Sequence, residues 1–507
     1  MRNKSNVVVL LAVVMLISIS ICGCANNPTN EIVTSKNDNT FDVNILQPAS
    51  TEVVHNKNFV FYFTDTFCST DGSVEFSINV KENRLDSGLP VVKVAPHYIT
   101  EADAKRIANV LFENETFYEA RPIFDVGYSL GEIEEYIDRW VPYTNIDALA
   151  ELYGTQDTTF LNEIQDSVKY AIQVFQQMAD KDVVTSDREL CNWEFKPESY
   201  YKYAAEELRG EDLSQDNDEI TTELIHNGIP YIMCFSKRDK SDFKLNYIYA
   251  YPHSYNSPMD IDSAIFRAQL CRTEEPSDEQ IDRIKEKAQD MLNRMELGDW
   301  VVDECYLQTI SIGQQTEYVV IINAVPIIEG IPAVRQPQLT YLKSEANYAS
   351  NYYLSDVRFK FSANGELLKF EMFSPIDIKD VINTNVATLP MDELFSKAIT
   401  HLSLTDYHEY GVYGEALFEK QKAAGEEFVC HVAICEMAFG MIRVKVPNSD
   451  ESYYYVPGMI LYGTIDYLGK ETQKLYESSG TTIWEDRIVP LVALNAVDGS
   501  IIELSNE

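Results

Sequence analysis

The sequence feature that most constrains this chain is its N-terminal segment, which determines the compartment in which the remainder has to fold. Arg2 and Lys4 are followed by an apolar run over residues 7–21, and the run ends at Gly23 and Cys24. A short basic region, an apolar stretch and a small residue at its end have the layout of a secretory signal. The pattern therefore predicts that the rest of the chain lies outside the cytoplasm.

The end of this signal, Ile21-Cys22-Gly23-Cys24, resembles the lipobox of bacterial lipoproteins. The resemblance implies that residues 1–24 are a lipoprotein signal peptide with a lipobox, that the Cys24 thiol is acylated, and that the peptide is cleaved after Gly23. The alternative is an uncleaved membrane helix, although the apolar run is shorter than the ~20 residues that span a bilayer. Both alternatives hold the chain at a membrane.

Three predicted folded regions follow a tether. Residues 25–48 are rich in Asn, Thr, Ser and Asp, a composition that buries too little apolar surface to order a chain. The remaining length exceeds what one core usually supports, so two or three domains are expected. We place them at residues 49–270, an N-terminal α+β domain; 271–400, a helix-on-sheet module; and 401–507, a mostly β module.

The charge of the chain excludes one class of partner. The sequence contains 80 acidic and 41 basic residues, which gives a net charge of −39. A surface of that sign repels the phosphates of nucleic acid, and it favours cationic partners or divalent counter-ions. The sequence thus predicts no nucleic-acid partner.

Local patterns predict helices and antiparallel strands. Five amphipathic helices are expected, over residues 100–111, 133–140, 164–179, 197–208 and 277–298. Ser277 and Gln280 form a capping box at the start of the last of these. Strand-like runs are separated by short turns such as Asn364-Gly365, which suit hairpins. The expected fold class is α+β, with antiparallel sheets each covered by helices on one face, in two or three modules.

Several short segments carry a wider resemblance. They are Gly330-Ile331-Pro332, Ser374-Pro375-Ile376-Asp377, Leu389-Pro390-Met391-Asp392-Glu393 and Asn495-Ala496-Val497-Asp498-Gly499. In this order they resemble an uncharacterised family of clostridial (Firmicutes) lipoproteins, and the helix-on-sheet modules are similar to PepSY domains. PepSY-like domains occur in extracytoplasmic proteins that restrain proteases or envelope-stress histidine kinases. The resemblance implies the helix-on-sheet architecture, and it implies no catalytic residue.

One predicted strand carries the main candidate for a ligand or partner surface. Tyr247, Tyr249 and Tyr251 alternate with other residues, so a strand places them on one face. Such a face can stack on sugar rings or clamp a peptide. It can equally be a half-buried strand, whose rings pack while the hydroxyl groups reach water.

An acidic segment is the second candidate site. Asp212, Ser214, Asp216 and Glu223 occupy positions one, three, five and twelve of a calcium-binding loop. Asn217 stands where that loop has glycine, and a strand is predicted where the loop has an exit helix, so a solvated acidic loop is the alternative. We predict no bound metal and no cofactor.

Two other motifs fail on geometry. Ser241 and Lys244 match Ser-x-x-Lys, but on a strand they face opposite sides. Cys430 is likewise separated from His431 and Cys435 by the two-residue period of a strand, and burial is the expected role of Cys430. No signature of a zinc protease, a serine hydrolase or a phosphate-binding loop is present.

These observations favour a lipid-anchored extracytoplasmic binding or regulatory protein of a Gram-positive cell envelope, without catalysis. Its expected partners are the membrane, through the lipid on Cys24, and an envelope protein or a cell-wall component. A cell-wall-directed hydrolase and a solute-binding receptor of a transporter are the alternatives. A cleft with buried titratable groups would favour the hydrolase, and two lobes around a hinge would favour the receptor.

Overall fold

The structure is a computed structural model that describes part of the chain. The described residues are 41–47, 59–70, 72–84, 89–120, 130–180, 189–197, 217–227, 229–238, 246–252, 274–312, 315–335, 356–404, 423, 429–447, 452–468 and 489–502. All of them belong to one compact unit. The fold is α+β, and its sheets are mostly antiparallel.

The described strands fall into a sheet of ten strands and a sheet of eight. In chain order they are β1 (Phe59–Cys68), β2 (Val74–Arg84), β3 (Val91–Pro96), β4 (Tyr118–Glu119), β5 (Lys196–Pro197), β6 (Asn217–His226), β7 (Ile229–Arg238), β8 (Asn246–Pro252), β9 (Trp300–Ile312), β10 (Gln315–Ile328), β11 (Ile331–Pro332), β12 (Asp356–Ser362), β13 (Leu367–Phe373), β14 (Ile376–Asn383), β15 (Val429–Lys445), β16 (Tyr453–Leu468), β17 (Val489–Asn495) and β18 (Ile501–Ile502).

The ten-stranded sheet consists of β4 to β13. Its main path runs β11-β10-β12-β13-β8-β7-β6-β4, with β9 also paired to β10 and β5 to β6. The eight-stranded sheet contains β1 to β3 and β14 to β18, and its β2–β15 pair is parallel. Each sheet therefore contains strands from before and from after the predicted domain boundary at residue 270. The division into three regions stays a prediction.

The described helices are α1 (Glu101–Leu111), α2 (Leu130–Trp140), α3 (Ile146–Tyr153), α4 (Thr158–Asp180), α5 (Asp278–Met295) and α6 (Met391–Leu404). Local sequence explains where two of them begin. At α1, Thr100 and Asp103 each accept a hydrogen bond from the backbone N–H of the other, and Ser277 and Gln280 do the same at α5. These reciprocal bonds satisfy N–H groups that the first helical turn leaves unpaired.

Helices α1 and α5 share a hydrophobic core with one face of the ten-stranded sheet. Ala104, Ile107 and Ala108 of α1 and Ala288 and Leu292 of α5 are buried in it. The sheet contributes alternate residues of its strands, including Met233, Phe235, Ile248, Ala250, Phe359, Phe361, Phe370 and Met372. Since successive strand residues point to opposite faces, the residues between them lie on the other side of the sheet.

Helices α2, α3 and α4 have a core of their own. Trp140, Leu149, Leu161, Ile164 and Val168 are buried in this cluster. The ring of Trp140 lies edge-on to Phe175 at 5.1 Å between centroids. The three helices form an insertion between the short strands β4 and β5. We refer to it as the helical insertion.

Four of the five predicted helices are confirmed, as α1, α2, α4 and α5. The helix expected over 197–208 begins at Pro197, which lies in β5, and its remaining residues are outside the described ranges. Residues 41–47 belong to the predicted tether, yet Phe41 is 1% exposed and its backbone N–H donates to Lys445. No helix among the described residues is long and apolar enough to cross a membrane.

Candidate functional site

The candidate site is the face of the ten-stranded sheet that lies opposite the core of α1 and α5. We call it the polar face. Along β8, Ile248 and Ala250 are buried in that core, whereas Tyr247, Tyr249 and Tyr251 are half-buried on the other side. The three tyrosines thus share one face of a strand, and the question is what surrounds them.

Strand register continues the polar face from β8 in both directions. Tyr249 lies directly opposite Cys234 of β7 and Glu371 of β13. One row then crosses the sheet through successive opposite residues, Cys234, Tyr249, Glu371, Arg358, Asn323 and Glu304. Apart from Cys234, all the side chains in this row are polar or charged. The opposite face of the same strands is a hydrophobic core.

The tyrosine rings pack against one another along β8. The rings of Tyr247 and Tyr249 are nearly parallel, at 8° and 5.6 Å between centroids, and the ring of Tyr251 lies 5.4 Å from that of Tyr249. Each ring therefore has another ring beside it. Because neighbouring rings cover part of the ring faces, a ligand would reach the ring edges and hydroxyl groups more readily than the faces.

Burial keeps these phenols in the protonated form. It raises the pKa of Tyr247 and of Tyr249 far above the ordinary value of a phenol, and it raises the pKa of Tyr251 as well. A neutral phenol donates one hydrogen bond, and Tyr247 donates its own to Glu219 at 3.0 Å. The tyrosines are hydrogen-bond donors, and they do not ionise in the ordinary pH range.

Next to Tyr249, strands β12 and β13 place three basic residues on the polar face. Lys360 lies directly opposite Lys369, and Arg358 lies directly opposite Glu371. Lys369 forms an ion pair with Glu371 at 2.8 Å. We call Arg358, Lys360 and Lys369 the basic cluster.

A hydrogen-bond relay fixes the position of Arg358. Its Nε donates to the side-chain oxygen of Asn323 at 3.2 Å, and the amide nitrogen of Asn323 donates to Glu304 at 2.7 Å. Glu304 also pairs with Arg335. The guanidinium of Arg358 is thereby held on the polar face. Because this group is planar, its remaining N–H donors keep fixed directions relative to Nε.

The carboxyl group of Asp356 lies at the end of the same strand and is 9% exposed. Burial raises its pKa, and the positive charges of Arg335 and Arg358 act in the opposite direction. A carboxyl whose ionised form is disfavoured by burial is a weaker counter-ion for Arg358 than an exposed carboxylate.

Of the other predicted site residues, Cys24, Asp212, Ser214 and Asp216 are outside the described residues, as are Ser241 and Lys244. Glu223, the predicted twelfth position of the calcium loop, lies within β6 directly opposite Ile232, which in turn lies opposite Tyr251. Because opposite residues share a face of the sheet, Glu223 lies on the polar face. Within the described ranges, no group of three or more His, Cys, Asp and Glu side chains could hold a metal ion.

The strand prediction for the cysteines agrees with the structure. Cys430 is buried with Val432 and Ile434, and Cys435 is exposed. The register of β15 shifts between Ile434 and Glu436, so Cys435 lies at a β-bulge. The ring of His431 instead lies 3.3 Å from the hydroxyl of Ser77.

Sequence reasoning missed two clusters, the basic cluster and a histidine between two carboxylates. His97 lies 2.8 Å from Asp377 through Nδ1 and 3.3 Å from Asp103 through Nε2. Asp103 also pairs with Arg106 and accepts from Thr100. Arg358, Lys360 and Lys369 lie within the hairpin that the sequence predicts, and the register of that hairpin groups them. His97, by contrast, meets Asp377 only through the pairing of two strands that are distant in the sequence.

Comparisons with known proteins yield two weakly similar solved structures. No protein-family model and no curated protein matches this chain. An uncharacterised protein from Eubacterium rectale aligns at 10% identity and a TM-score of 0.32, covering 87% of this chain and 93% of its own. The YpeB C-terminal domain of Bacillus megaterium aligns at 11% identity and a TM-score of 0.25, covering 57% of this chain and 83% of its own.

Proposed function

We propose that this chain is a lipid-anchored extracytoplasmic protein that binds a ligand or partner through the polar face and performs no catalysis. The observation that carries the proposal is the row of polar and charged side chains across six strands, on a sheet whose opposite face is a packed core. Cys234 and Asn323 of this row are fully buried, whereas Tyr249, Glu371 and Arg358 are half-buried. Half-buried polar groups held in fixed positions are what a recognition surface requires.

Two features of the polar face support binding. The basic cluster offers several hydrogen-bond donors beside the three phenols, of which Tyr247 already donates to Glu219, and the relay from Glu304 through Asn323 holds Arg358 in one orientation. Side chains that are already ordered lose little conformational freedom when a ligand arrives, so less of the interaction energy is consumed. Tyr and Arg are also the residues that most often dominate binding surfaces.

The finer parts of the proposal rest on the sequence. The lipobox-like end of the signal supports acylation of Cys24 at the outer face of the cytoplasmic membrane. The resemblance to clostridial lipoproteins with PepSY-like modules, in which helices cover one face of each sheet, supports a regulatory role in a Gram-positive envelope. Fold-level likeness of this kind is an analogy for function.

Binding of the full chain to washed envelope preparations tests the proposal. We expect Tyr249→Ala to weaken that binding at least about tenfold, and Tyr249→Phe separates the hydroxyl group from the ring. Tyr170→Ala is the matched control, since Tyr170 is 69% exposed on α4 of the helical insertion. Equal binding by wild type and folded Tyr249→Ala would contradict the proposal.

A further inference from the structure

We propose that the ligand of the polar face carries an oxyanion, a carboxylate or a phosphate group, which is bound by Arg358, Lys360 and Lys369. This inference rests on the proposed function and deepens it by naming the chemistry of the ligand. The shared chemistry is a group with two or more negatively charged or strongly accepting oxygens.

The first argument is the placement of like charges. Lys360 and Lys369 lie directly opposite each other on antiparallel strands, where Cβ atoms are about 4.5–5.5 Å apart. Like charges at such positions destabilise a sheet. Both side chains are half-buried, so water screens their repulsion less than it would at an open surface.

The second argument is the shortage of counter-charge within the protein. Glu371 forms an ion pair with Lys369, and in the part of the chain that the structure describes Lys360 forms none. Burial and the charge of Lys369 lower the pKa of Lys360, the charge of Glu371 acts in the opposite direction, and the charge of Arg358 lowers the pKa further. Three basic side chains thus share Glu371 and the buried, weaker counter-ion Asp356. An incoming anion would relieve both the repulsion and the desolvation.

The third argument is composition. The chain has 80 acidic and 41 basic residues, so a local group of three bases is the opposite of what its overall charge favours. A basic patch in such a chain is not explained by solubility, because acidic residues already supply it. Arginine and lysine are the side chains that bind carboxylate and phosphate oxygens, Arg with a planar fork and Lys as a point charge.

The neighbouring tyrosines suit the same ligand. Tyr249 lies directly opposite Glu371 in the row that crosses the sheet, so its strand is the neighbour of the strand that carries Lys369. Burial keeps the phenol of Tyr249 neutral, and the phenol hydrogen-bonds to the side chain of Cys234. A neutral phenol can exchange such a bond for one donated to an oxyanion. The side chains on this part of the face therefore supply donors of three kinds to one group of oxygens.

Isothermal titration of the full chain tests the inference with two probes, inorganic phosphate and N-acetylglycine. We expect saturable binding of at least one probe, weakened about tenfold or more by Lys360→Gln and by Lys369→Gln. The matched control is Lys285→Gln, which removes the same charge from the exposed side of α5. Preference for phosphate would identify a phosphate-bearing ligand, and preference for N-acetylglycine a carboxylate.

Two results would overturn the inference. One is no saturable binding of either probe up to about 10 mM, a range that covers weak single-group recognition. The other is an equal loss of binding in Lys285→Gln, which would assign the effect to net charge.

The failure of this inference is distinguishable from failure of the proposed function. If Tyr249→Ala abolishes binding to envelopes while neither probe binds, the polar face is a binding surface for a ligand of another chemistry. If a probe binds at the basic cluster while envelopes bind equally to Tyr249→Ala, the oxyanion site stands and the proposed function falls.

Discussion

At the scale of single residues, we expect that removing the charge of Lys360, which lies opposite Lys369, does not lower the stability of the fold. In the absence of a ligand the two ammonium groups repel each other, and directly opposite like charges cost roughly 0.2–1 kcal/mol. Lys360→Met keeps most of the aliphatic stem and removes the charge. We expect the free energy of unfolding to stay equal or to rise by up to about 1 kcal/mol.

Urea unfolding in a buffer without phosphate or carboxylate measures this free energy. Lys285→Met on α5 serves as the control for loss of one positive charge from the chain. A decrease of more than about 1 kcal/mol in Lys360→Met alone would show that Lys360 stabilises the fold, against the account of a binding residue.

Asp103 gives a second prediction at this scale, for the dependence of stability on pH. Burial alone would raise the pKa of Asp103, but hydrogen bonds from Thr100, Arg106 and His97 outweigh it and the pKa lies below its ordinary value. A depressed carboxyl pKa stabilises the folded state above the unfolded pKa of about 4, and this contribution is lost as the pH falls through the folded pKa.

We therefore expect the melting temperature of the wild type to drop as the pH falls below about 4, and Asp103→Asn to show a smaller drop. At neutral pH the variant should be less stable by roughly 1–3 kcal/mol, because Arg106 and His97 lose a charged partner. Thermal unfolding from pH 3 to pH 7 measures both effects. Parallel curves for the two proteins would show that the carboxyl of Asp103 contributes nothing to the pH dependence.

At the scale of secondary-structure elements, the capping box of α5 predicts an unusual order of substitutions. The hydroxyl of Ser277 accepts from the backbone of Gln280, and the Gln280 side chain accepts from the backbone of Ser277. Alanine at an N-cap costs about 1 kcal/mol, whereas glycine costs only a few tenths. We expect Ser277→Ala to lower the free energy of unfolding more than Ser277→Gly does.

Chemical denaturation of the two variants measures that order. Neither should change the binding of phosphate, since α5 packs in the core on the side of the sheet away from the polar face. If glycine is the more damaging residue, backbone entropy in the helix decides the outcome and the cap contributes little.

The elements also show what the sequence could predict. Capping boxes and a hairpin such as Asn364-Gly365 are encoded within a few residues, so α1, α5 and the β12–β13 turn follow from local patterns. The grouping of Tyr247, Tyr249 and Tyr251 follows from strand period alone. The neighbours of that strand do not, because β8 pairs with β13, more than a hundred residues later in the chain.

Long-range pairing explains why the sequence could not place the basic cluster next to β8 or bring His97 to Asp377, although the basic cluster itself lies within one predicted hairpin. Arg358 and Lys369 become neighbours of Tyr249 only through the β13–β8 register. His97 meets Asp377 only because β3 pairs with β14. A charge pattern read along one strand contains neither contact.

At the scale of the whole molecule, we propose that a lipid anchor holds the folded unit outside the cytoplasm. We expect Cys24→Ala to release the protein from membranes or to leave an uncleaved precursor, because acylation of the thiol is what would hold it. Membrane fractionation and the mass of the product measure the outcome. Unchanged membrane association together with unchanged size would contradict the lipoprotein assignment.

The central claim is that the polar face is the surface that meets the ligand or partner, and photo-crosslinking in living cells tests it most directly. A photoreactive phenylalanine analogue replaces Tyr251 on the polar face or, as the control, Tyr170 on the helical insertion. We expect a defined crosslinked product from position 251 that excess wild-type protein suppresses, and no product from position 170. A product from position 170 alone would contradict the claim.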